Sequence, residues 1–478
     1  MSFEFFGKTR LLILVLCTLC CSSILSNMNT YNFTKICKDK NSRGIIINGP
    51  SKYTDTEKAF FQSVVAIGAL LASFPFTILF EKFPPKTVFT FSGIISCIAT
   101  ALAPAAHNNS FALFTIVRIC QGMSFGSSFL MIGNVVHNWA SLKENGVFIA
   151  ILTACTQLSN VFTMPVSGAI CDSNFGWPMV YYVHAAVCAF LFITFSIFFT
   201  DSPEDHNFVG FNELTKIQDN KIVSETKVKT PYLSILKDKT VWGIWIAAFA
   251  DLLAVQLVSM SFPTYMDKTL HYDVKNTGLK NGLAIFFQFL VKLISGLGSD
   301  KWTSKSELFK VRFFDSLALG ISGFLFIFIG FIPIDWKMVT LIYSIVNVCI
   351  LGCNAAAFNK CATLYSRQFS KFVVGHIMTL WAITILIEPF IVALFNHNNT
   401  LEEWRYVFWF HAIVLVVANF IFCYWAKTDP APWTIDKTLP TIQTPEEGNK
   451  KEEEEEKQKY EETILSKNNE CTEVKESK

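Results

Sequence analysis

Apolar residues in this chain come in long blocks. Each block runs for roughly 18 to 25 residues, the length of helix that crosses a ~30 Å hydrocarbon core. The blocks predict helices near 11–29, 55–80, 87–106, 111–136, 145–171, 178–200, 240–266, 277–298, 311–332, 338–362, 372–395 and 404–427. The fold class read from this pattern is an all-α membrane protein with twelve transmembrane helices. The first block has a second reading, because Lys8 and Arg10 precede it and small residues follow, the layout of a secretory signal peptide.

Composition agrees with the blocks. The 478 residues are 51% hydrophobic and only 16% charged, unusual for a soluble globule of this length. The net charge of +2 points to no nucleic-acid partner. Most of the 14 cysteines lie inside apolar blocks and read as small buried hydrophobes. Cys17 and Cys20 form a CxxC with no nearby His or second CxxC, so a zinc site lacks its four ligands. No catalytic grouping or cofactor signature stands out, so an enzyme is not expected. Cys37 and Cys171 fall on the same predicted side, where a disulfide is one option beside free thiols.

Orientation follows from the loops. Lys82, Lys86, Lys143, Lys301, Lys305, Lys310, Arg367 and Lys371 lie in the short loops after even-numbered helices. Positive loops stay cytoplasmic, which places both termini inside. Sequons begin at Asn32, Asn108 and Asn398, all on the predicted outer side, with Asn32 the best acceptor by its distance from the bilayer.

"WPMVYYVHA" at 177–185 and "WRYVFWFHA" at 404–412 share Trp, Val, an aromatic pair, His and Ala in register. Glu81–Lys82 after helix 2 is echoed by Asp300–Lys301 after helix 8, and Pro165 in helix 5 by Pro389 in helix 11. The shared offset of six helices predicts two pseudo-symmetric six-helix bundles, with a solute site between them near the midplane. The expected divisions are a first bundle at 1–200, a cytoplasmic loop at 201–239, a second bundle at 240–427 and a disordered charged tail at 428–478, which contains "KKEEEEEKQKYEE".

The chain resembles the major facilitator superfamily and, within it, the anion:cation symporter family of sodium/phosphate cotransporters, sialin-like and vesicular glutamate transporters. The resemblance rests on "RICQG" at 118–122, "PVSG" at 165–168, "GW" at 176–177, "DSP" at 201–203, "PTY" at 263–265, "SD" at 299–300 and "PW" at 432–433. "SNMNTYNFTKIC" at 26–37 resembles its nematode branch. The resemblance implies a small-anion transporter driven by Na⁺ or H⁺, with no other cofactor. It departs from the family at three points. The usual helix 1 arginine is missing from "SILSNMN", Asp251 stands where vesicular glutamate transporters carry a helix 7 arginine, and Phe125 replaces their helix 4 acid.

Among the charges within the predicted spans, Arg118 is the most informative. It lies about seven residues, near 10 Å, into helix 4. A mid-membrane Arg costs ~2.5–3.5 kcal/mol on insertion scales, so it faces a wet cavity, a counter-ion or the headgroups. Its fork matches a carboxylate or phosphate, which makes Arg118 with Gln121 the candidate substrate contacts. Asp251 and Glu388 are the candidate coupling sites for Na⁺ or H⁺, or else counter-ions to Arg118 and Lys292. Lys292 reads as snorkelling, and His184 and His411 as core packing. Glu81–Lys82 and Asp300–Lys301 read as braces at the cytoplasmic ends. The chain is expected to act as a monomer in the plasma membrane or an endolysosomal or vesicle membrane. The remaining alternatives are a carrier of a neutral or cationic solute bound at Asp251, and a non-transporting sensor on the same fold.

Overall fold

The computed structural model describes residues 8–37, 53–141, 144–218 and 231–434. They are almost entirely helical. Eleven helices are long and apolar enough to cross a membrane, and a twelfth span is bent by 42° between Ser73 and Pro75. In chain order these are α1 (Thr9–Cys37), α2 (Asp55–Lys82), α3 (Pro85–Asn109), α4 (Phe111–Trp139), α5 (Val147–Asp172), α6 (Trp177–Phe198), α7 (Lys239–Thr269), α8 (Val274–Lys301), α9 (Glu307–Ile329), α10 (Ile334–Ser366), α11 (Ser370–Phe395) and α12 (Leu401–Trp425). The charged tail from 435 onward and residues 219–230 of the central loop lie outside the described residues.

Local chemistry sets the helix starts. Thr54 and Glu57 form a capping box at α2, and Thr400 and Glu403 form another at α12. Ser110, Asp273 and Ser306 accept the first free amides of α4, α8 and α9. Prolines lie inside α2, α3, α5 and α11, where neighbouring helices shield the freed carbonyls.

Packing repeats with the six-helix offset. The pairs α1–α5, α1–α6, α2–α4, α3–α4 and α3–α6 recur as α7–α11, α7–α12, α8–α10, α9–α10 and α9–α12. The two groups meet through α2 on α11 and α5 on α8, which are themselves related by the same offset, and residues through Ala431 form one compact unit. Large apolar side chains such as Phe190, Ile193, Ile197, Leu394 and Phe420 point outward, as a lipid-facing surface requires.

The main departure from the sequence reading is α1, which extends eight residues past its predicted end to Cys37. Its polar segment from Ser26 to Thr34 is interior. Asn27 donates to Ser96, Asn29 to Asn160, and Thr34 shares a hydrogen bond with Tyr181. Hydropathy reads such a segment as loop because it scores side chains without their partners. The expectation for Asn32 is therefore corrected: it is 1% exposed, bonded to Asn29 and Gln62, and unsuited as a glycan acceptor. Asn108 and Asn398 are exposed, although the Asn398 amide is held by Glu403. Cys37 and Cys171 form a disulfide joining the ends of α1 and α5. That end of the bundle is called the disulfide end below, and the opposite one the basic end.

The bracing pairs also differ from expectation. Neither Glu81 nor Lys82 makes an ion pair among the described residues. Asp300 pairs with Lys360 of α10 at 2.7 Å and not with its neighbour Lys301; Lys360 also reaches Glu307 at 3.1 Å. Adjacent helical residues point about 100° apart, so a sequential acid–base pair serves different neighbours. In the first bundle Asp201, which follows α6, accepts from the Lys86 backbone amide at 2.8 Å.

Candidate functional site

Between the two bundles lies a narrow cavity, with about 30 Å³ open to the centres of water molecules, walled by α1, α5, α7, α8 and α11. Its wall carries five amides, Asn29, Gln157, Asn160, Gln256 and Gln288, with Met28, Ile285, Trp381 and Ile385 as the apolar part. A side-chain chain crosses between the bundles here: Asn29 donates to Asn160 at 3.1 Å, and Asn160 to the Ser259 hydroxyl at 3.4 Å. Gln62 of α2 bonds the Met260 carbonyl of α7 at 3.3 Å. Beyond it, toward the disulfide end, α5 and α8 close on each other. A Cβ on Gly278 would collide with the Met164 carbonyl, so only glycine permits this approach.

Arg118 is not in this wall. It is fully buried inside the first bundle. Its Nε donates to the Phe61 carbonyl at 3.0 Å, and Nη1 to the Met28 carbonyl at 2.8 Å and to Gln121 at 2.7 Å. The Tyr31 ring lies 5.2 Å from the guanidinium carbon. Gln121 in turn donates to the Asn27 carbonyl and to Thr100. The expected substrate contacts are thus corrected to an interior clamp. Gly122 of α4 lies against the Val65 backbone, which brings α2 within reach of the guanidinium. The clamp holds α1 from behind, at the turn whose Met28 and Asn29 face the cavity.

Asp251 is also turned away from the lining. It is 1% exposed and accepts from Asn354 at 2.7 Å, where α10 breaks into a 3₁₀ turn over Gly352–Ala356. The buried Asp315 of α9 adds a second negative field there, and Lys292 of α8 a positive one. Neither Asp251 nor Asp315 is among the residues that line the cavity.

Lys292 is a cation of α8 close to the cavity in sequence. It lies one turn from Gln288 on the same face of α8, about 6 Å toward the basic end. It interacts electrostatically with Asp251 and with Cys155, the residue before the cavity-lining Thr156 and Gln157. Its ammonium makes no hydrogen bond or ion pair among the described residues. The snorkelling reading overlooked its i, i+4 relation to Gln288, the one signal in the sequence that could have placed it.

Glu388 lies on the same face of α11 as Trp381 and Ile385 of the cavity wall, one turn closer to the disulfide end. Its Oε2 is 2.9 Å from Nε2 of His411. His411 was expected to pack and does so, but it also reaches this carboxylate. Lys35, bonded to Gln62, adds a positive field on Glu388 from α1.

The fold and this geometry are now joined by relatives. The Major Facilitator Superfamily profile matches residues 11–387. The chain belongs to the Major Facilitator Superfamily. Human sialin is 23% identical over 77% of this chain and 75% of its own length. The uncharacterized transporter slc-17.2 of Caenorhabditis elegans is 24% identical over 83% and 79%, and rabbit (Oryctolagus cuniculus) sodium-dependent phosphate transport protein 1 is 24% identical over 80% and 83%. These relatives match the anion:cation symporter resemblance read from the motifs. The fold is that of a bacterial homolog of the human lysosomal transporter Spinster (TM-score 0.66, 12% identity, 87% and 96% of the two chains) and of a D-xylose-proton symporter (TM-score 0.65, 12%, 89% and 98%). The superfamily member is a transporter and not an enzyme, and a multi-pass integral membrane protein.

Proposed function

We propose that this chain is a secondary active transporter of a small organic or inorganic anion, moved by alternating access and coupled to a cation gradient. The observation that carries the reading is the amide-lined cavity between the two bundles, with the unpaired Lys292 one turn beyond Gln288. Amide N–H groups and an ammonium together suit a carboxylate or phosphate. The names of sialin and the sodium-dependent phosphate transport protein support the class. Asp251 and Glu388 are the coupling candidates, neither of them in the lining. The disulfide supports an orientation with its end outside the cytoplasm, because such bonds persist in oxidising compartments. It agrees with the excess of Lys and Arg in the opposite loops, and so with cytoplasmic termini.

The test is uptake into proteoliposomes of a labelled panel containing phosphate, a monocarboxylate, a sugar acid and a neutral sugar, with and without Na⁺, at two pH values. Accumulation of an anion that falls about tenfold or more in Lys292→Gln, a loss of about 1.4 kcal/mol, supports the reading. Equal uptake by Lys292→Gln sinks the role given to Lys292. A second reading, a neutral polar solute, is favoured by the absence of any charged side chain from the lining itself. Transport of the sugar alone would select it.

A further inference from the structure

The two bundles contain the same histidine in the same setting, which provides an internal control. His184 and His411 are 1% exposed, in equivalent turns of α6 and α12. Each ring places Nδ1 on the carbonyl four residues earlier: Val180 at 2.7 Å and Val407 at 2.8 Å. A carbonyl only accepts, so Nδ1 carries a proton in both rings. Nε2 of His184 then meets no partner among the described residues and lies beside the Phe162 ring. Nε2 of His411 meets Glu388 Oε2 at 2.9 Å. The residue equivalent to Glu388, preceding Pro165 as Glu388 precedes Pro389, is the buried Met164. Only the second bundle places an acid opposite the ring.

With Nδ1 already protonated, a neutral His411 offers only a lone pair at Nε2. An ionised Glu388 also offers only lone pairs. Two acceptors do not hold each other at this distance away from water. One further proton must lie between them, on Glu388 donating to Nε2 or on Nε2 as an imidazolium paired with the carboxylate. Both arrangements have no net charge. Removing that proton leaves a net charge of −1.

We infer that Glu388 and His411 form a proton-binding dyad whose occupancy sets the charge presented across the junction of the two bundles. The group that reads the charge is Lys35 of α1, in the opposite bundle. The other ionisable groups around it are Asp55 and Lys58 of α2, which pair with each other at 3.1 Å, and Tyr265 of α7, whose ring packs on Trp404 and Phe408 of α12. An empty dyad attracts Lys35 and favours closure of the disulfide end, and a loaded dyad relaxes that attraction. The proton site stands on hydrogen-bond geometry alone. Its role in the transport cycle rests on the transporter reading above.

The deciding measurement is histidine side-chain nitrogen NMR on the full chain in lipid nanodiscs, with His184 as reference. Glu388→Met installs the first bundle's own residue, and Glu388→Gln keeps a hydrogen-bond donor for Nε2 but cannot titrate. Nε2 of His411 is expected to differ from Nε2 of His184 at neutral pH and to titrate with pH. In Glu388→Met its signal should collapse onto the His184 pattern. In Glu388→Gln its titration should move by at least one pH unit. A His411 signal unchanged by both substitutions overturns the inference. In proteoliposomes with labelled inorganic phosphate, or with the monocarboxylate or sugar acid where the parent moves that instead, both variants should lose accumulation driven by a pH gradient while equal-pH exchange persists. Undiminished accumulation in either variant overturns the coupling role, whereas a parent that moves none of phosphate, the monocarboxylate and the sugar acid counts against the transport reading and leaves the NMR result to decide the proton site.

Discussion

The Arg118 guanidinium donates to the Met28 carbonyl 2.8 Å away, from α4 to the cavity-lining turn of α1, across 90 positions of sequence. The same side chain also holds the Phe61 carbonyl of α2, so one residue joins three helices of the first bundle. Helix interiors seldom have spare carbonyl capacity directed at a neighbour, and a guanidinium has the five donors to use it.

Substituting Arg118 is therefore expected to act on stability more than on solute affinity. Arg118→Ala should cost about 3 kcal/mol or more, from several charge-assisted hydrogen bonds lost in a buried setting. Arg118→Lys should recover only part, lacking the planar fork. Thermal denaturation of the purified chain in detergent checks this. An unchanged midpoint with lost anion affinity would return Arg118 to the substrate.

The disulfide ties two helices separated by 134 residues of sequence. Cross-links over such long loops stabilise by roughly 2–5 kcal/mol. Cys37→Ser should lower the melting midpoint and expose Cys171 to a membrane-impermeant thiol reagent. The parent should be labelled there only after reduction. Equal labelling without reductant would show free thiols.

Closure of the disulfide end depends on Gly168 and Gly278. The Gly278 Cβ position lies against the Met164 carbonyl, leaving no room for a side chain. Gly278→Val should wedge α5 from α8, keep the chain monodisperse on size exclusion, and abolish solute uptake. Full uptake by this variant would mean that the two helices need not meet here during transport.

At the basic end, Glu213 of the short linker helix Phe211–Gln218 accepts the backbone amides of Thr9 and Arg10 at 3.2 and 2.9 Å, capping α1 from a distance. Glu144 joins Arg10 and Lys216 at 3.1 and 3.2 Å. Burial works to raise the Glu144 pKa, but the bond to Lys216 and the Arg10 charge outweigh it and hold it below the ordinary carboxylate value. Its contribution is thus complete at neutral pH and is lost as pH falls through that lowered value. Glu213→Ala should speed hydrogen exchange at 211–218 and in the first turn of α1, and acidification to below the ordinary carboxylate range should loosen the Glu144 contacts of the parent there. Unchanged exchange in both cases would show that the linker helix is held by other contacts.

Much of this protein was legible in one dimension. Apolar block length gave the spans because a bilayer imposes a fixed thickness on any helix that crosses it. The Trp177/Trp404 and Pro165/Pro389 echoes gave the duplication, because a repeated bundle must repeat its packing. The buried charges were also recognisable, since each is costly enough to require a reason.

The sequence could not assign those reasons. Arg118 at its depth fits a cavity, a headgroup or a neighbouring carbonyl equally well, and only the approach of α2 at Gly122 decides for the carbonyl. Asn32 looked like outer loop because polarity along a chain does not distinguish water from Gln62. His184 and His411 looked identical until the fold put Phe162 beside one and Glu388 beside the other. The chain alone determined which residues carry a cost in the membrane. The tertiary structure determined what offsets it, because a buried polar group is satisfied by partners from other helices, and those are set by three-dimensional packing and not by spacing in sequence.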